Sequence, residues 1–304
     1  MATTAAPDRA RQHLDRLAKT HPEWSAWLAL WDATLDAAAD PVWTAAADGA
    51  AVPPALPPGA PRLTGAAVPV AARDATAWVR HLTGVADAKV AKRGVGVAGG
   101  DRLDPVALIE AAINQDEARL AELATAAGMA PDALAALAQF AAAPLLHACG
   151  RALGPGVAKD WDDGYCPVCG AWPAMIERRG LERARRLRCG RCGGDWGSAV
   201  VRCAFCAVAG HDRLGSLVPE ADREARQVET CAACRGYLKS LTTLRAWTAA
   251  EVALADLSTV ELDLAAIERG YARPATPAVA LAVRLVEPDP VPETGRAGFL
   301  RRRR

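Results

Sequence analysis

The sequence predicts an α+β multidomain chain. A helical N-terminal domain is followed by two tandem zinc-ribbon-like four-cysteine modules and by C-terminal helices. Three observations carry this expectation. Eight of the nine cysteines fall between Cys166 and Cys234 as four Cys-x-x-Cys pairs. Apolar residues before them recur at helical spacing. From Gly164 glycine and cysteine rise and alanine runs stop, and helical patterning returns after Lys239.

The corresponding division is 1–160 for the helical domain, 161–198 and 199–245 for the two modules, 246–285 for the C-terminal helices, and 286–304 for a disordered, Pro- and Arg-rich tail. A chain of 304 residues can bury a large core. Its formal net charge of +1 selects no partner. Met1 to Trp24 shows no secretory pattern. The alanine-rich run Ala130–Leu153 is interrupted by Asp132, Gln139, Pro144 and His147, which speaks against a membrane span. A cytoplasmic, reducing setting is expected, where paired cysteines more often hold metal than form disulfides.

Along the chain, Trp24, Trp27, Leu28, Trp31 and Leu35 lie on one helical face and read as a packing stripe. Asp40-Pro41 and Asp104-Pro105 are helix starts, with Asp as N-cap and Pro in the first turn. Residues 51–71 carry Pro53, Pro54, Pro57, Pro58 and Pro61, a density that forces an extended connection. A helix resumes at Arg73 with Trp78, Val79 and Leu82 inward. Gly94–Gly100 lacks the Gly-Lys-Ser/Thr ending of a phosphate loop and reads as a turn. Pro131-Asp132 opens another helix, which Pro144 should kink or restart. Cys149, away from the clusters, reads as a buried apolar residue. Ala199–Arg202 is strand-like, whereas Leu241, Leu244 and Trp247 suggest a helix.

Thiolates are soft ligands, and four of them suit zinc or iron in tetrahedral geometry. The pairs are Cys166/Cys169, Cys189/Cys192, Cys203/Cys206 and Cys231/Cys234, separated by 19, 10 and 24 residues. Sequential pairing gives site 1 from Cys166, Cys169, Cys189 and Cys192, and site 2 from Cys203, Cys206, Cys231 and Cys234. Crossed pairing remains open. Gly170 and Gly193, each following a second cysteine, permit the left-handed turn such a knuckle needs. Four sulfurs leave no open position, and no Ser/His/acid arrangement or His-Glu-x-x-His is present. No catalytic residue and no organic-cofactor site is therefore assigned, and the chain is not expected to be an enzyme. Gly164–Arg213 carries nine arginines against four acids. This surplus raises the alternative of a nucleic-acid-binding zinc ribbon, but few aromatics interleave with it, and a solvated ribbon surface is the plainer reading.

Four phrases resemble the formate dehydrogenase accessory protein family, FdhE. They are Cys166-Pro-Val-Cys-Gly-Ala-Trp-Pro173, Arg185 to Trp196, Arg202-Cys-Ala-Phe-Cys206, and Glu229-Thr-Cys-Ala-Ala-Cys-Arg-Gly-Tyr-Leu-Lys239. Ala255–Asp263 and Glu268–Arg273 are similar to the family's C-terminal helix and exit. Arg186 stands where the family has an aromatic, and Gly210–Gln227 is richer in charge than the family pattern. The resemblance implies two rubredoxin-like modules, two metal ions with iron favoured over zinc, and a cytoplasmic maturation chaperone that contacts the catalytic subunit of a respiratory formate dehydrogenase. A rubredoxin-like electron carrier is the alternative. Membrane association is not expected, nucleic acid is disfavoured, and weak self-association is left open.

Overall fold

The computed structural model describes residues 6–90, 102–220 and 225–289. The glycine-rich Gly94–Gly100 and the Arg301–Arg304 run lie outside the described residues. Among the described residues seven α-helices occupy the first half: α1 (Ala6–Thr20), α2 (Ser25–Ala38), α3 (Pro41–Asp48), α4 (Ala72–Val90), α5 (Pro105–Asn114), α6 (Glu117–Ala127) and α7 (Pro131–Leu153). Their starts follow local chemistry. Asp40 accepts from the Val42 N–H, and Asp104 from the N–H groups of Val106 and Ala107, so each satisfies donors the helix itself cannot pair.

α7 is the central helix, and α2, α3, α4, α5 and α6 pack around it. It buries Leu134, Leu137, Phe140, Leu145 and Leu146, each contributing about 1.5–3 kcal/mol of burial. The helix runs through Pro144 without a break. It is long and apolar enough to cross a membrane, but 72% of its apolar window is buried against the rest of the chain, as expected of a core helix. On α2, Leu28 is buried while Trp27 is 47% exposed. The Trp stripe is thus only partly covered: Trp31 meets the Phe140 ring edge-on at 5.2 Å, and Trp27 lies tilted to it at 5.6 Å.

The second half forms one six-stranded sheet. Its strands are β2 (Met175–Arg179), β3 (Ala184–Arg188), β4 (Asp195–Gly197), β5 (Leu214–Leu217), β6 (Arg226–Cys231) and β7 (Tyr237–Thr243), in the order β4-β3-β2-β7-β6-β5. β2-β3-β4 and β5-β6-β7 are two antiparallel three-stranded units of the same plan. The parallel pairing of β2 with β7, Met175 opposite Lys239 through Arg179 opposite Thr243, fuses them. Leu241 therefore lies in a strand, contrary to the helical reading, and Leu244 is an exposed turn residue. β7 is central and buried on both faces, so it lacks the alternation that would mark a half-exposed strand. Ala199–Val201 forms a turn, not a strand, with Val200 exposed; only Arg202 bridges, to Ala209.

α8 (Ala249–Leu257) and α9 (Val260–Ile267) cover this sheet. α8 opens with a capping box between Thr248 and Glu251 and also packs on α1 through Leu14, Leu17, Ala250 and Leu254. Beyond Gly270 the chain is extended. It returns as β8 (Arg284–Val286), parallel to β1 (Ala67–Pro69). The Ala72 N–H donates to the Glu287 carboxylate. Hydrogen bonding thus reaches two residues into the stretch expected as a disordered tail, whose residues 290–304 lie outside the described residues. The proline-rich connection is anchored rather than free: the N–H groups of Arg62 and Leu63 donate to Pro167 and Val168 in the first cysteine knuckle.

Candidate metal centres

Each Cys-x-x-Cys pair is a tight turn of one design. In the first three, the N–H of the residue after the second cysteine donates to the carbonyl of the first: Gly170 to Cys166, Gly193 to Cys189 and Ala207 to Cys203. At all four knuckles that following residue has positive φ: Gly170 at 65°, Gly193 at 76°, Ala207 at 58° and Arg235 at 59°. The requirement noted at the two glycines is thus general. The other two knuckles meet it with L-residues at a steric cost. Arg235 is held there by donating to the carbonyls of Arg269 and Gly270 and by lying over the Tyr271 ring.

The sheet then gathers the sulfurs. β2 and β3 bring the first two knuckles together, and β6 and β7 lead into and out of the fourth, opposite the third. Within each group of four, all sulfurs lie within 4.8 Å of one another: Cys166, Cys169, Cys189 and Cys192 in one, Cys203, Cys206, Cys231 and Cys234 in the other. The grouping is the sequential one. Cys166 to Cys192 and Cys169 to Cys189 are 3.4 Å, and Cys203 to Cys234 and Cys206 to Cys231 are 3.7 Å. A metal–sulfur bond near ~2.3 Å in a tetrahedron gives sulfur–sulfur edges of roughly 3.8 Å. The two groups could therefore bind two metal ions.

Electrostatics favour the same occupant. Burial pushes the Cys166 thiol well up, and neighbouring sulfurs, Cys166 first, push Cys192 up. S–H donation from Cys166, Cys169 and Cys192 pulls Cys189 down. Burial at Cys166 and neighbouring sulfurs at Cys192 oppose ionisation, and a cation among the four would favour their thiolate forms. In the second group burial raises Cys203. At Cys231 burial is outweighed by N–H groups of Cys234 and Ala233 and by neighbouring sulfurs, and the thiol is lowered. Cys149 is 1% exposed and burial lifts it to about 12, which fits the inert residue expected there.

Close backbone approaches lock both groups into the fold. A β-carbon on Gly150 of α7 would sit 2.0 Å from the Cys192 carbonyl oxygen. One on Gly164 would sit 1.6 Å from the Ala204 carbonyl oxygen, so the chain entering the first knuckle presses on the third. Neither glycine stands out in sequence, because the contact partner is remote.

The arginines of the sheet are paired rather than solvated. Arg188, 2% exposed, meets fully buried Glu177, and its guanidinium also reaches the Trp247 carbonyl at 2.6 Å. Arg179 and Arg186 share Asp195 at 2.7 and 2.6 Å. Arg178 and Arg185 clamp Glu229 at 2.8 and 2.9 Å. Tyr237 donates to Asp263 at 2.9 Å, and burial together with that bond pushes its phenol up to about 12. Glu229 and Tyr237, two non-ligand residues of the fourth phrase, thus tie their strands to neighbouring elements.

Residues 201–279 match the family model for the FdhE C-terminal domain. The chain is similar to an FdhE homologue of Aquifex aeolicus (strain VF5), 33% identical over 114 residues, which are 36% of this chain and 40% of that protein. It is similar to one of Stutzerimonas stutzeri (strain A1501), 36% identical over 117 residues, 38% of this chain and 37% of the relative. These alignments span less than half of the relatives' own lengths. The crystal structure of the FdhE protein from Pseudomonas aeruginosa shares the fold, with a TM-score of 0.51 over 92% of this chain and 97% of that one at 23% identity. In its C-terminal domain the chain is similar to FdhE proteins, and it shares the fold of a solved FdhE structure.

Proposed function

We propose that this chain is an accessory protein for a respiratory formate dehydrogenase. It acts in the cytoplasm, binds the enzyme's catalytic subunit and assists its maturation. The observation that carries this reading is the coincidence of the FdhE C-terminal match at 201–279 with a complete four-sulfur group at Cys203, Cys206, Cys231 and Cys234. In this reading all eight clustered cysteines are metal ligands, and the segments 161–198 and 199–245 are two rubredoxin-like modules. They follow a helical domain at 1–160 and precede the helical segment 246–285. Iron is the favoured ion and zinc the alternative, since both accept four thiolates. A metal held by four sulfurs has no open position for substrate, so the role is binding and assistance rather than catalysis.

The test is co-purification. The tagged full chain is recovered under anaerobic conditions from a formate-respiring host, with bound proteins identified by mass spectrometry. The catalytic subunit of formate dehydrogenase is expected in stoichiometric amount. Its absence from a preparation that carries its metal would refute the accessory reading.

A further inference from the structure

The fold treats the two cysteine groups differently. Cys166, Cys169, Cys189 and Cys192 are 0–3% exposed and belong to the main apolar core beside Leu187 and Trp196. α7 closes over them at Gly150. In the second group Cys206 and Cys234 are exposed, and none of the four belongs to an apolar cluster of the described residues. Its two buried members, Cys203 and Cys231, line a cleft of about 290 Å³ between the third knuckle and the edge of the sheet, with Arg178, Arg185 and Glu229 also on its walls. The second group is thus approached from two sides, by the open surface at Cys206 and Cys234 and by this cleft. Cys192 of the first group borders a cavity of about 450 Å³, but the residue is only 3% exposed.

Exchange at a four-thiolate centre needs a competing donor at the ion, or a proton on a departing sulfur. Core burial blocks both at the first group. It also ties any release there to opening of the core, because metal binding and folding are coupled in such sites. In the second group two of the four cysteines, Cys206 and Cys234, are exposed, and both lie outside the paired residues of β6 and β7.

We infer that the two groups divide the work: Cys203, Cys206, Cys231 and Cys234 form a labile centre that yields its ion to a small thiol or amine chelator, while Cys166, Cys169, Cys189 and Cys192 form a retained centre that holds the fold. This rests on the metal reading above and extends it by assigning exchange to one centre only.

The full chain, loaded with zinc, is challenged at neutral pH with 4-(2-pyridylazo)resorcinol, and iodoacetamide labelling is mapped in parallel. One equivalent should leave about tenfold or more faster than the other, a barrier difference of about 1.4 kcal/mol. The far-ultraviolet circular dichroism should be unchanged after the fast phase. Labelling should reach Cys206 and Cys234 before any cysteine of the first group. The variant carrying Cys206→Ser and Cys234→Ser should keep one slowly released ion. Release of both ions at one rate, or earlier labelling of the first group, would overturn the inference. Failure to bind any zinc would instead overturn the metal reading.

Discussion

Lys239 and Asp263 form an ion pair of 2.7 Å, with the lysine side chain fully buried. The ammonium also meets Asp256 at 2.7 Å, and Arg273 bridges the same two carboxylates. Asp256 sits at the end of α8 and Asp263 in α9, so one strand residue fastens both helices to the sheet. Burial alone would raise the Asp256 carboxyl, but Arg273 and Lys239 outweigh it and hold the group low. Lys239→Met keeps the apolar stem and removes the ammonium, leaving two carboxylates on one arginine. Breaking a buried pair in this way is expected to cost about 3 kcal/mol. Urea unfolding of the metal-loaded protein measures it, and a loss below about 1 kcal/mol, the scale of a surface pair, would contradict the assignment.

The knuckles make opposite predictions for glycine. Ala207 holds φ at 58° as an L-residue, so Ala207→Gly should stabilise the protein by about 0.5–1 kcal/mol despite glycine's greater unfolded-state freedom. Gly193 has no such latitude. A β-carbon there would lie 2.6 Å from that of Ala249 and 2.9 Å from its Cα, besides the strain at φ 76°. Gly193→Ala should therefore destabilise by about 2 kcal/mol or more, displacing the start of α8. Thermal melts of the two variants should move in opposite directions.

Gly150 separates helix packing from metal binding. Alanine there would collide with the Cys192 carbonyl, and the backbone cannot yield without moving the knuckle. Gly150→Ala should cost about 1–3 kcal/mol. It should lower metal occupancy at the first group while leaving the second filled, as read by metal analysis after gel filtration. Equal loss at both groups would show that α7 does not act through Cys192.

Glu251 sets part of the acid response. Burial pushes its carboxyl up, but hydrogen bonds from Arg245, the Thr248 N–H and Arg9 prevail and hold it at about 2. A carboxyl depressed in the folded state stabilises above its unfolded pKa, and that contribution fades as pH falls through the folded value. The stability difference between the native protein and Glu251→Gln should therefore be full above about pH 4.5 and shrink towards pH 2. Metal loss at low pH is common to both proteins and cancels in the difference. A gap that stays constant across this range would contradict the ion-paired role.

What could be read in the sequence was local. The helix starts at Asp40 and Asp104 were visible because an Asp cap and a proline act within one turn, and that at Pro131 through its proline alone. The two sulfur groups were visible because each closes within a short segment. The parallel pairing of β2 with β7 was hidden, since it joins residues about 64 apart in the chain without a local signal. Leu241, Leu244 and Trp247 imitate a helical period, but Leu241 lies in a strand buried on both faces and Leu244 is exposed just beyond it. The surplus of arginine suggested a solvated ribbon because Glu177, Asp195 and Glu229, which pair with five of those arginines, come close only in the folded sheet.

The central claim is that the chain holds two separate four-sulfur metal centres on one sheet. Native mass spectrometry of the anaerobically purified protein and of two paired variants tests it most directly. The native chain should carry two ions, while Cys166→Ser with Cys169→Ser, and Cys231→Ser with Cys234→Ser, should each carry one. Loss of both ions from either variant, or retention of two by both, would contradict two independent centres.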